Sequence, residues 1–328
     1  MATPVVNDPI STTLPDPWER AASIPLDGVL EENRYGPLVT SFFALILALF
    51  LSQIIVAVSM VGLLMVSDTP TVEEFGDFSS LFEGRGDLLL IANSIGLFMG
   101  LGVFGFALTR LHTTRPWSFL RLRKPDGFLL VLSIVGLFVL MPVVQWLGTI
   151  NKLIPIPEFF RNLDAMSMEL IEQALVGDYS LLFLLTVLAI TPALWEELFF
   201  RGYVQRQFER GFGAIGGVVA TGVIFGLFHF RFTQALPLAA LGVYLAFLAW
   251  QTGSLWVPVV VHFVNNAFTV AMVEYVKNRP DLDITNIEEV EVPWYLVVVG
   301  LLFFVAVVYA LRLRAKSLLA QHPVVSSA

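Results

Sequence analysis

Three short groups of polar residues stand inside otherwise apolar runs of this 328-residue sequence. The first is Trp195-Glu196-Glu197-Leu198-Phe199-Phe200-Arg201. Neighbouring residues of a helix point about 100° apart, so Glu196 and Glu197 cannot serve the same partner. Glu197 and Arg201, spaced i,i+4, can pair along one face, which leaves Glu196 free to face something else. The second group is Phe225-Gly226-Leu227-Phe228-His229, and the third is His262-Phe263-Val264-Asn265-Asn266. His262 and Asn266 share a helical face and can both offer hydrogen bonds to one point. A carboxylate that accepts a proton, beside groups that donate to a developing oxyanion, is the equipment of hydrolysis by an activated water. A blander reading also fits: the acidic pair and Arg201 mark a helix end surfacing among lipid headgroups, and the histidines are satisfied packing residues. Charge within hydrocarbon costs about 2.5–3.5 kcal/mol per residue on insertion scales. Two of the four histidines fall in apolar runs that accompany a Glu pair, which favours a shared polar site.

The elements that must position these groups are membrane helices. Hydrophobic residues make up 56% of the chain and charged residues 14%, with a mean hydropathy of +0.77. Soluble domains carry about 25% charged residues, and the charges here gather in short connecting segments. Apolar runs at 38–66, 88–109, 128–150, 181–203, 212–230, 235–250, 255–275 and 294–311 predict an all-α polytopic membrane protein. The bundle holds about eight transmembrane helices, at roughly 20 apolar residues per span. Continuous runs exclude barrel strands, which alternate. Residues 1–36 read as a polar, flexible or interfacial tail, 37–316 as the helical domain with its reactive core over 181–273, and 317–328 as a C-terminal tail. The stretch from Asn151 to Ser180 reads as an ordinary connecting loop, with a lid or substrate-entry element as the alternative. No internal repeat of the transporter kind is evident.

Lys and Arg concentrate in Arg110–Lys124, Arg206–Arg210 and Arg312–Lys316. Placing both termini in the cytoplasm puts all three segments inside and the acidic loops, 68–83 and 281–291, outside. The net charge of −8 comes mostly from those loops and the tails, and no basic patch with interleaved aromatics points to nucleic acid. The absence of cysteine excludes disulfides, thiolate metal sites and cysteine nucleophiles. One difficulty follows from these boundaries. Glu196 lies near one end of its span and His229 near the opposite end of the next, a depth difference of about 15 Å at 1.5 Å per residue. Either the fourth helix continues past Arg206, or the 230–234 turn dips into the protein.

The ordered set EExxxR (Glu196, Glu197, Arg201), FxxxH (Phe225, His229) and HxxxN (His262, Asn266) resembles the CPBP intramembrane proteases. That family includes the CAAX prenyl endopeptidases and bacterial proteins linked to bacteriocin processing and immunity. The resemblance spans about 181–273. It implies an intramembrane endopeptidase in which Glu196 is the general base, His229 holds and activates the water, and His262 with Asn266 stabilises the oxyanion. Glu197, Arg201 and Phe225 would support them. It also implies a peptide or protein substrate met within membrane lipid, without naming that substrate; oligomeric state is open. A cofactor-free reaction is expected, with zinc on Glu196, His229 and His262 as the alternative. The sequence lacks HExxH, which places two histidines one turn apart on one helix. The competing readings are a transporter or proton-coupled channel and a non-catalytic immunity or scaffold relative.

Overall fold

The computed structural model describes residues 12–19, 23–67, 85–175, 177–277, 279 and 292–321. The apolar runs are helical because hydrocarbon offers no partner to a backbone N–H or C=O, so each segment must satisfy its own. In chain order they are α1 (Pro37–Ser67), α2 (Gly86–His112) and α3 (Gly127–Asn151). A polar helix, α4 (Glu158–Leu175), follows. The stretch Leu181–Phe228 is divided at Gly213 into α5 (residues 181–212) and α6 (214–228). The bundle is completed by α7 (Ala235–Thr252), α8 (Trp256–Lys277) and α9 (Trp294–Gln321). Among the described residues, seven continuous stretches are long and apolar enough to cross a membrane, giving an all-α polytopic bundle.

The seven stretches hold eight apolar helical arms among the described residues, as the apolar runs predict, because the fourth and fifth spans are two arms of one stretch. Gly213 turns the chain between them in a single residue, at φ 75° and ψ 170°, a backbone region that a side chain would strain. The arms then pack face to face: the Phe200 ring meets those of Phe225 and Phe228 at 5.3 and 5.1 Å. One apolar core joins α1, α5 and α6 through Ala44, Ala48, Phe199, Phe200 and Phe225. A second joins α3, α7, α8 and α9 through Leu137, Leu245, Val261 and Val307.

The N-terminal segment, expected to be a flexible or interfacial tail, is folded over its described part. Thr13–Pro15 pairs antiparallel with Ser23–Pro25, and Leu14, Ile24 and Leu26 are buried in the core of α5. The reason is charge as much as apolarity. Asp16 meets Arg206 at 2.5 Å, Glu31 meets Arg210 at 2.7 Å, and Glu19 meets Arg115 at 2.8 Å. Arg121–Glu209 (2.6 Å) and Arg314–Asp126 (2.8 Å) complete the picture, so the basic segments gather at the Gly213 end of the bundle. The acidic segments 68–83 and 281–291 lie outside the described residues. At the other end of the chain α9 runs on to Gln321, beyond the expected stop at 311.

The stretch read as an ordinary loop contains α4. Asp164 on this helix is buried and accepts the backbone N–H of Thr233 at 2.9 Å as well as that residue's hydroxyl. The Phe160 ring lies 4.4 Å from that of Phe232. Through these contacts α4 is fastened to the turn that directly follows His229.

Candidate active site

The depth conflict disappears once α5 is followed to its end. Glu196 stands 17 residues before Gly213 and His229 16 residues after it, so the two antiparallel arms bring them to the same level. At 1.5 Å per residue that level is about 25 Å from the turn. Helix α5 outruns its apolar stretch by nine residues because the polar groups beyond Tyr203 are enclosed by protein. Gln205, Arg206 and Gln207 are all buried. Of the two remedies the sequence allowed, continuation past Arg206 is the one the chain adopts.

Glu196 and Glu197 have opposite surroundings. Glu197 and Arg201 are fully buried, which excludes a position among headgroups. Arg201 Nη1 donates to Glu197 Oε1 at 2.7 Å, and its Nη2 donates to the Gly242 carbonyl at 3.1 Å. His262 Nδ1–H donates to the same Glu197 oxygen at 2.8 Å. The residues of the first and third motifs are therefore tied by one carboxylate oxygen. Phe225 stands at the centre: Arg201 lies 4.1 Å above its ring, and the rings of His229 and His262 meet it edge-on at 4.6 and 5.8 Å. A guanidinium held over an aromatic face and paired with a carboxylate is a stable way to keep charge inside an apolar bundle.

Glu196 faces the other way, toward α1, α2 and α6. Its Oε2 is buried without a hydrogen-bond partner among the described residues and lies 3.9 Å from His229 Nε2. His229 Nδ1–H donates to the Phe225 carbonyl at 2.7 Å, which in a neutral ring leaves Nε2 as an acceptor on the side of Glu196. Both residues line a cavity of about 110 Å³, together with Leu49, Ser52, Gln53, Leu97, Leu101, Phe200, Phe228 and Phe230. Two acceptors facing each other across 3.9 Å cannot bond directly; they can share the two protons of one small donor.

The candidate residues thus form two linked groups. Glu196 and His229 share the cavity, while Glu197, Arg201 and His262 form the ion-paired group behind it, with Phe225 between. Asn266 accepts from Asn265 Nδ2 at 3.1 Å through Oδ1, which leaves its own NH₂ available as a donor. It stands one turn beyond His262, and among the described residues no hydrogen bond joins it to Glu196. His262 gives its Nδ1 to Glu197, and among the described residues no three His, Asp or Glu side chains gather as a metal requires. Two features were missed in the sequence: the sharing of Glu197 by Arg201 and His262, and the contribution of α1 to the cavity. The second had a signal, since Gln53 is an amide inside an apolar run.

Comparison with known proteins gives matches to membrane peptidases. Residues 178–268 match the family model described as type II CAAX prenyl endopeptidase Rce1-like, a segment that contains all three motifs. A curated relative, "Putative membrane peptidase YdiL" of Bacillus subtilis (strain 168), is 30% identical over 107 residues. That match spans 32% of this chain and 43% of the relative, so the chain matches less than half of the relative's length. No solved structure matches the chain. The likeness to the CPBP intramembrane proteases holds over the segment that carries the motifs.

Proposed function

We propose, taking residues 178–268 as an Rce1-like segment, that this chain is an intramembrane endopeptidase that hydrolyses peptide bonds with a water activated by Glu196. The observation that carries the reading is the facing pair of acceptors, Glu196 Oε2 and His229 Nε2, at 3.9 Å in a cavity within the bundle. A water about 2.8 Å from each can give one proton to each as a hydrogen bond, which directs its lone pairs at a third point. A peptide carbonyl carbon brought there is attacked by the water oxygen while Glu196 takes the proton. The C–O bond forms, the carbonyl π electrons move to oxygen, and a tetrahedral oxyanion results. Its collapse breaks the C–N bond, and the proton on Glu196 passes to the departing amine.

His262 and Asn266 are proposed as donors to that oxyanion. Asn266 donates from a neutral amide. His262 has Nδ1–H committed to Glu197, so it serves only with a second proton, on Nε2. The ion-paired Glu197 and Arg201 hold α5 against α7 and α8 and so fix the direction of Glu196. The substrate is a peptide or protein that reaches the cavity from the bilayer, and the basic Gly213 end is proposed to face the cytoplasm.

The test is cleavage of short internally quenched peptides by the purified protein in liposomes. His229→Ala is expected to lower the rate about 100-fold, as for loss of a group that orients and polarises the attacking water. Unchanged cleavage by His229→Ala would remove that residue from the reaction.

A further inference from the structure

The cavity of Glu196 and His229 has a wall that comes from outside the Rce1-like segment. Helix α1 supplies Leu49, Ser52 and Gln53, and α2 supplies Leu97 and Leu101. Most of this wall is apolar. The exception that calls for an explanation is Gln53, whose side chain is exposed near the middle of a 31-residue apolar helix.

The hydroxyls of α1 are satisfied within the helix itself. Thr40 donates to the Pro37 carbonyl at 3.0 Å, Ser41 to Leu38 at 3.0 Å and Ser52 to Leu49 at 2.9 Å. Gln53 has no such bond and no partner among the described residues. An amide left without a partner in an apolar medium costs several kcal/mol on transfer scales that offer no hydrogen bonds, so a place beside a polar ligand is where it can be retained. Its register is fixed from behind. A Cβ on Gly100 would stand 2.6 Å from the Ser52 Cα, so only glycine lets α2 come this close to the α1 backbone, one residue from Gln53.

A carboxamide offers one acceptor and a two-proton donor, which is the complement of a peptide group. From the other side of the cavity Glu196 and His229 address the scissile carbonyl. We propose that Gln53 is a substrate-positioning residue: it hydrogen-bonds a backbone amide of the bound peptide and holds the chain in the cavity against Glu196 and His229. The inference rests on the peptidase reading and adds that recognition of the substrate backbone is supplied by α1. Because the contact is to backbone, it holds substrates of different sequence alike.

The experiment compares wild type, Gln53→Met and Glu196→Gln on internally quenched peptides in liposomes, with melting temperature measured on each. Met keeps the length of Gln and suits a lipid environment, so Gln53→Met is expected to melt at or above wild type. It is expected to raise KM about five- to tenfold with kcat changed less than about twofold, as for a neutral hydrogen bond made equally in ground and transition states. A scan of peptides N-methylated at one position at a time should then show one position at which wild type and Gln53→Met have the same KM. An unchanged KM in Gln53→Met, beside an inactive Glu196→Gln, overturns the positioning role and leaves the peptidase reading intact. A lowered melting temperature with KM unchanged assigns Gln53 to packing and overturns it as well. Full activity of Glu196→Gln, or no cleavage by wild type, rejects the reading on which the inference rests.

Discussion

Two regions of this bundle bury carboxylates, and they treat them differently. At the Gly213 end every buried acid has a cation close by. Asp16 has Arg206 at 2.5 Å and Arg123 at 3.0 Å, Glu31 has Arg210 at 2.7 Å and His112 at 2.6 Å, and Glu209 has Arg121 at 2.6 Å. At the level of the cavity the one ion partner of Glu196 within 4 Å among the described residues is His229, at 3.9 Å. A saturated carboxylate is a structural joint; one left short of partners has lone pairs open to a further donor. The contrast recurs between adjacent residues, since Glu197 gives one oxygen to both Arg201 and His262. On the proposed reading stability and reactivity fall to different acids, and substitutions can separate them.

The largest effect is expected from Glu196→Gln. Peptide cleavage should fall about 10⁴-fold while the melting temperature stays level or rises, because an incompletely paired charge has been removed. A parallel loss of stability would erase the contrast. Next, Arg201→Met should destabilise by about 3–5 kcal/mol, since it leaves Glu197 buried without its cation. Adding Glu197→Gln to it should recover part of that loss, a coupling that a double-mutant cycle in thermal unfolding reads directly. Asp16→Asn should cost about 2 kcal/mol, because Arg206 keeps its bonds to the carbonyls of Phe119 and Ser118. Its kcat should not change.

The smallest effect is the dependence on pH. Burial pushes the Asp16 carboxyl up, but Arg206, Arg121 and Arg123 outweigh it and hold the group well below the ordinary value of 3.8. Burial likewise opposes ionisation of Glu31, and the hydrogen bonds from His112 and Arg210 reverse it. Both groups titrate lower in the folded chain than in the unfolded one. Their stabilisation is therefore complete above the unfolded values and is lost as pH falls from there toward the folded ones. The melting temperature should be level between about pH 5 and 7 and fall below about pH 4, with a shallower fall in Asp16→Asn.

The sequence displays its chemistry better than its boundaries. Glu197 and Arg201 sit four apart and pair as the spacing demands, because i,i+4 contacts are local. The helical class follows from apolar runs for the same reason. The end of α5 was not legible: Arg206 and Arg210 look like a loop at the membrane surface until their partners, Asp16 and Glu31, arrive from nearly the far end of the chain. Composition marks residues 12–35 as a tail, and only that long-range pairing makes them part of the fold. His262 reads as sharing one target with Asn266, and its Nδ1 serves Glu197 on another helix as well, a contact no spacing within α8 reveals. Gln53 was overlooked because a single amide scarcely changes the hydropathy of a 31-residue helix.

The hairpin at Gly213 also bears on how the site comes into being. Glu196 and His229 belong to consecutive arms, so their encounter requires one short reversal and no distant strand of sequence. As the chain emerges and enters the bilayer, Glu196 and His229 can meet before α7 to α9 have been synthesised. His262 then arrives as the later arm that locks Glu197, so completion of the proposed site coincides with closure of the bundle around it.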